Sequence, residues 1–181
     1  MVRSAIPDDA AGVAAVNAAA WKAGFLGVVN QTYLDSYDGD PQLRQQHLAH
    51  PHPQQIELVA LDDTTVIGWV AGTPTAADPT VYELQACYVD PTYWRAGIGR
   101  RLVHAFLNHA TNQGATTAEL WTPRLAHRTR RFYESLDFHL TGRLTTVDRG
   151  GPLILTRYRR RLPATSSPEL PTPSTSPTLD G

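Results

Sequence analysis

The stretch Tyr93–Val103, YWRAGIGRRLV, packs two glycines and three arginines just after a hydrophobic run that ends in Val-Asp-Pro. The preceding residues 80–91, TVYELQACYVDP, read as a strand stopped by Pro91. After the glycines, Ile98, Leu102, Phe106 and Ala110 recur every four residues with Val103 and Leu107 beside them, which predicts a helix ended by Gly114. A strand, a glycine turn and a helix N-terminus together present unpaired backbone N–H groups and the positive end of a helix dipole, and so form an anion site. Two phosphate-binding patterns fit poorly. A Walker loop ends in Gly-Lys-Ser/Thr, which is absent, and the dinucleotide fingerprint wants a third Gly or Ala where Leu102 stands.

Outward from this turn, residues 2–6 read as a short strand and 7–25 as a helix with acids in its first turn. A second short helix is expected around Gln42–Ala49. Residues 56–74, IELVALDDTTVIGWVAGTP, alternate as a hairpin turning at Asp62-Asp63-Thr64. TTAELWT (116–122) reads as a strand, LAHRTRRFYESL (125–136) as a helix, and PLILTRYRRRL (152–162) as a last strand. The order β-α-α-β-β-β-α-β-α-β predicts an α+β, three-layer α/β/α arrangement on a mixed sheet. One domain, residues 1–162, is expected. From Pro163 the chain is built mostly from Pro, Ser and Thr, and residues 163–181 are expected to be a disordered tail because they offer almost nothing to bury.

The net charge of −1 hides an asymmetry. Residues 1–94 carry 11 acids against three basic residues, whereas residues 95–161 carry 13 arginines against four acids. Seven of those arginines fall within 95–131 beside the single acid Glu119, so a polyanionic ligand is expected there. The single cysteine, Cys87, excludes an internal disulfide and a multi-cysteine zinc site. The seven histidines show no metal-ligand spacing, so no metal is expected. No basic leader and no apolar run of membrane-spanning length is visible, which predicts a cytoplasmic protein with no membrane partner.

The order of strand, VDP, RAGIGRRLV and later RFYESLDF resembles the GNAT superfamily of acetyl-CoA-dependent N-acetyltransferases, over most of residues 2–161. The N-terminal AAWKAGFLGVVNQTYLDSYD is similar to the first helices of many small bacterial members. The resemblance implies a mixed, mostly antiparallel sheet splayed between two parallel strands, with acetyl-CoA as cosubstrate. It implies that backbone amides of Arg95, Ala96, Gly97, Ile98, Gly99 and Arg100 hold the pyrophosphate, that Val89 pairs with the pantetheine arm, and that the N–H of Cys87 or Tyr88 meets the oxyanion. Two departures stand out. Trp94 occupies the place where the family has Gln or Arg, and Ala126 the place of an asparagine that would touch the pantetheine; the usual Gly-Phe is Asp137-Phe138.

Acetyl transfer to an amine requires a neutral nitrogen, a stabilised oxyanion and a proton for the departing thiolate. An alkyl ammonium titrates near ~10.4, so a base is needed at neutral pH. Period-two alternation would put Glu83, Gln85, Cys87 and Val89 on one strand face, and the resemblance gives Glu83 the role of general base. It likewise makes Tyr133 the donor to the coenzyme A sulfur, with Phe132 turned to the core. A covalent role for Cys87 is disfavoured because no histidine is close in sequence. Trp21, Phe25 and Tyr33, with Asp35 and Glu83, are the expected walls of an acidic, aromatic pocket for a cationic amine.

The expected function is therefore transfer of acetyl from acetyl-CoA directly to a primary amine of a small molecule such as an antibiotic, polyamine or amino-acid derivative. Two alternatives stay open: a protein or peptide N-acetyltransferase, and a non-catalytic acyl-CoA sensor. No nucleic-acid partner is expected, since the acidic first half and near-neutral total oppose one; a homodimer is left open.

Overall fold

The computed structural model describes residues 1–163, so the tail expected from residue 163 lies, but for Pro163, outside the described residues. Among the described residues the elements run β1 (Val2–Ser4), α1 (Ala10–Gly24), α2 (Gln31–Ser36), α3 (Pro41–Ala49), β2 (Ile56–Asp62), β3 (Thr65–Thr75), β4 (Asp78–Val89), α4 (Ile98–Asn112), β5 (Thr117–Pro123), α5 (His127–Glu134), β6 (His139–Asp148) and β7 (Pro152–Arg161). None of these helices is long and apolar enough to cross a membrane.

The strands form one sheet in the order β1-β2-β3-β4-β5-β7-β6, antiparallel throughout except for β4 and β5. The three-layer α+β arrangement anticipated from the sequence is the observed one. On one face, α4 buries Leu102, Val103, Phe106 and Ala110 completely against Leu58, Val70, Tyr82, Leu84 and Leu120. On the other, Val13 of α1 packs with Val59, Leu61, Trp69 and Ala71. Two elements were not foreseen. α2 is six residues long, started by Asn30, whose side chain accepts the Tyr33 N–H at 3.1 Å. β6 is an edge strand with no buried residue, so it carries no apolar alternation for the eye to find.

Two irregularities build the site. The parallel pairing of β4 with β5 covers only Val81–Glu83 against Thr117–Glu119, after which β4 stays with β3 and β5 with β7. The two strands therefore part into an open V. The β3–β4 register also shifts between Ala71 and Gly72, which leaves Gln85 as an extra residue on β4. The shift overturns the expectation that Glu83, Gln85, Cys87 and Val89 share a face. Cys87 and Val89 pack toward the α4 side with Tyr82 and Leu84, while Glu83 lies on the α1 side with Ala86 and Tyr88. Gly72 permits this arrangement, since a Cβ there would collide with the Glu83 carbonyl and the Phe106 ring.

Candidate active site

A cleft of about 940 Å³ fills the V. It brings together Glu83, Cys87, Tyr88, Val89, Arg95, Gly97, Ile98, Gly99, Arg100 and Tyr133, with Trp21 and Phe25. Ala96, Ala126, Tyr33 and Asp35 do not line it. Ala126 is buried with Phe25, Val29, Leu34 and Leu153, Tyr33 lies behind Trp21 at 6.2 Å between ring centroids, and Asp35 accepts a hydrogen bond from the Gln31 side chain on the surface. The acidic lining expected for the acceptor end thus reduces to Glu83.

At one end, Gly97 caps α4 with φ of 78°, a left-handed conformation that costs a bulkier residue strain. The first helical bond runs from the Arg101 N–H to the Gly97 carbonyl at 3.1 Å. Among the described residues, the N–H groups of Gly97, Ile98, Gly99 and Arg100 have no intramolecular acceptor, and Arg95, Arg100, Arg128 and Arg131 line the same end. Oriented amides, a helix dipole and guanidinium groups converge there, the combination that holds a diphosphate.

In the middle, β4 offers its backbone. The Asp90 N–H donates to the Ile67 carbonyl at 2.9 Å, which makes Trp69 and Tyr88 a hydrogen-bonded pair in the β3–β4 ladder. The Tyr88 N–H is therefore spent on β3, while those of Cys87 and Val89 point into the V. The Val89 carbonyl accepts the indole N–H of Trp94 at 2.8 Å, and the Arg128 guanidinium lies 4.1 Å from the Trp94 ring centroid. Trp94, which departs from the expected Gln or Arg, thus braces the end of β4 against α5.

The titratable groups differ in character. Glu83 is half-buried, and among the described residues it has no hydrogen-bond or ion-pair partner; burial first, then the nearby Glu119 charge, raises its pKa. Glu119, opposite it in the ladder, is held by Arg159 at 2.7 Å and Arg157 at 3.5 Å. Tyr133 is buried, and that burial raises its phenol pKa well above the ordinary value. Phe132, expected toward the core, packs against it while half-buried, and its ring also reaches the cleft wall. Burial pushes the Cys87 thiol up to about 12, so it stays protonated and unfit as a nucleophile.

Three further cleft residues escaped the sequence reading. Thr122, on β5, is 2% exposed and its Oγ1 has no partner among the described residues. Trp121 and Arg149 line the same cleft, and Arg128, one of the seven arginines already singled out, braces Trp94. The only sequence signal of Thr122, Trp121 and Arg149 was position, at a strand end or in a hairpin turn. Beside them the Trp21 indole N–H donates to the Tyr88 hydroxyl at 3.0 Å, fixing an aromatic wall.

A V between parallel strands, headed by an amide-lined turn, defines a class of acyl-transfer fold, and the match is direct. Residues 19–138 match the acetyltransferase (GNAT) family, and the chain belongs to it, as an acyltransferase. It is 29% identical over 151 residues to "Probable N-acetyltransferase Rv2775" of Mycobacterium tuberculosis, covering 80% of this chain and 83% of that protein. Among solved structures it resembles the PaiA N-acetyltransferase of Thermoplasma acidophilum in complex with coenzyme A, with TM-score 0.72, 19% identity, and 89% and 98% of the two chains covered. It also resembles yncA of Salmonella typhimurium, solved with acetyl-CoA, with TM-score 0.72, 20% identity, and 93% and 97% covered. At those identities the structures establish the fold.

Proposed function

We propose that the protein transfers acetyl from acetyl-CoA directly to the primary amine of a small molecule. The observation that carries this reading is the V itself: strands that part after three residue pairs, with the amides of Cys87 and Val89 facing the gap and a turn of free amides at its mouth. The residues present suit the cosubstrate. The Gly97–Arg100 amides would take the diphosphate, and the N–H of Val89 would pair with the pantetheine as an added strand would. The buried, unpartnered Thr122 hydroxyl offers a polar contact on the β5 side, where Ala126 has none to give. Bound there, acetyl-CoA supplies an activated thioester carbonyl.

Glu83 lies on the α1 face, away from the cosubstrate strand edge, where an amine would enter. Its raised pKa makes it a better base than a solvated carboxylate, so it takes the ammonium proton, directly or through water. The Cys87 N–H donates to the carbonyl oxygen as charge gathers on it, a fixed donor that needs no reorganisation. The Tyr133 hydroxyl stays protonated and donates a hydrogen bond to the departing sulfur; full proton transfer from so weak an acid is uphill. A small acceptor is favoured because the β6–β7 turn that carries Arg149 onto the cleft is seated against α2, which puts a wall beside Trp21 and Phe25 rather than an open groove for a protein chain.

Calorimetry with acetyl-CoA tests the cosubstrate, and thiol release across an amine panel tests transfer. Gly97→Val, which forbids the left-handed cap, is expected to weaken acetyl-CoA binding by about tenfold or more. Undiminished affinity in that variant would remove the turn from the site.

A further inference from the structure

The acceptor end holds a positive charge that transfer to a plain amine does not use. Arg149, in the turn between β6 and β7, is half-buried on the cleft wall, its guanidinium 6.0 Å from the Tyr33 ring centroid. The turn is built rather than loose. The Arg149 N–H donates to the Gly151 carbonyl at 2.9 Å, the Gly151 N–H to Asp148 Oδ1 at 3.2 Å, and Arg149 Nη1 to the Asp148 carbonyl at 2.8 Å. Gly150 sits so close to Tyr33 and Asn30 that a Cβ would press on both, which seats the turn against α2.

Among the described residues no carboxylate lies within ion-pair distance of the Arg149 guanidinium. Arg157 and Arg159, by contrast, are both spent on Glu119. Of the five N–H donors on Arg149 one is used among the described residues, and an arginine fork without a carboxylate is a seat for an oxyanion. Glu83, the carboxylate without a partner, lines the same cleft, and Trp21, Phe25, Tyr88 and Leu153 supply apolar surface there. Unpaired charges of opposite sign on one cleft call for a ligand that bears both.

We infer that the acceptor is an amine that itself carries an oxyanion, a carboxylate or a phosphate-type group, with the nitrogen presented to Glu83 and the oxyanion seated on Arg149. This rests on the acetyl-transfer reading above. The acceptor nitrogen bonds the acetyl carbon as the carbon–sulfur bond breaks. Of the two protons the ammonium gives up, one ends on the thiol and one leaves to solvent through Glu83. The oxyanion takes no part in bond making and stays on Arg149 throughout.

The test uses the full chain with acetyl-CoA and four matched pairs: leucine against isopentylamine, phenylalanine against phenethylamine, 4-aminobutyrate against butylamine, and O-phosphoethanolamine against ethanolamine. In at least one pair the charged member is expected to show kcat/KM about ten- to a hundredfold above its neutral counterpart. The winning pair separates carboxylate from phosphate. Arg149→Gln should raise KM for that member and collapse the ratio toward one, while Arg143→Gln, on the exposed outer strand, should leave the ratio standing. Neutral members equal or superior in every pair would overturn the inference and leave acetyl transfer intact. Acetyl-CoA bound without turnover of any amine would overturn both.

Discussion

Glu83 is a carboxylate kept where its charge is unwelcome. Desolvation and the neighbouring Glu119 both favour its protonated form, and nothing among the described residues offsets them. Its pKa in the fold is therefore above the ordinary value of 4.5, and the sign of the linkage follows. The group supports the fold below the unfolded pKa and loses that support as pH rises through the folded one. Glu83→Gln should then be more stable than the parent at pH about 7, with the difference vanishing below pH about 4. The same change should erase the acid limb of the kcat/KM profile that Glu83 sets and lower turnover by roughly 10²–10⁴. Thermal melts and pH–rate curves of the two proteins check both halves; a Glu83→Gln variant less stable than the parent at neutral pH would mean Glu83 is paired after all. The sequence made Glu83 visible as an acid on the strand that came to line the cleft. It could not show the face, because a single extra residue at Gln85 changes the direction of side chains without changing composition.

At the scale of elements, legibility tracked burial. α4 was readable to its ends because six apolar positions fall on one stripe and all six are buried. β6 was invisible because none of its residues is buried, and it exists by pairing with β7 rather than by any pattern of its own. The parting of β4 from β5 was legible only through the resemblance, since no local residue announces where a ladder stops. Phe106 joins these elements: fully buried on α4, its ring abuts the Gly72 position at the β4 bulge. Phe106→Ala removes the ring from a site that the sheet cannot collapse into, at an expected cost of about 3–5 kcal/mol. Leu144→Ala, on β6 and 54% exposed, should cost at most about 0.5 kcal/mol. Urea unfolding of the pair measures both, and similar losses would mean that the core under the V is not where the fold holds.

Across the whole molecule the charge split seen along the chain becomes a split across the cleft. Four of the arginines in 95–131, namely Arg95, Arg100, Arg128 and Arg131, line one end, and the others are turned elsewhere, as Arg130 is to the Tyr158 hydroxyl at 2.8 Å. Clustering on one end, rather than around the helices, is what a polyanionic ligand calls for, and under the proposed function it would make the cosubstrate's capture a long-range electrostatic event as well as a contact. Counter-ions should then compete with it. Raising salt from about 0.05 M to about 0.5 M shortens the screening length from roughly 14 Å to roughly 4 Å, so acetyl-CoA affinity should fall, chiefly through slower association. Stopped-flow binding monitored by tryptophan fluorescence, with Trp94 beside the arginines, reads the association rate directly. Arg128→Ala and Arg131→Ala together should flatten that salt dependence, whereas Arg3→Ala, paired with Asp9 on the opposite side of the chain's charge divide, should not. An association rate indifferent to salt would mean that the amides of the turn act alone and that the basic half of the chain faces something other than the cosubstrate.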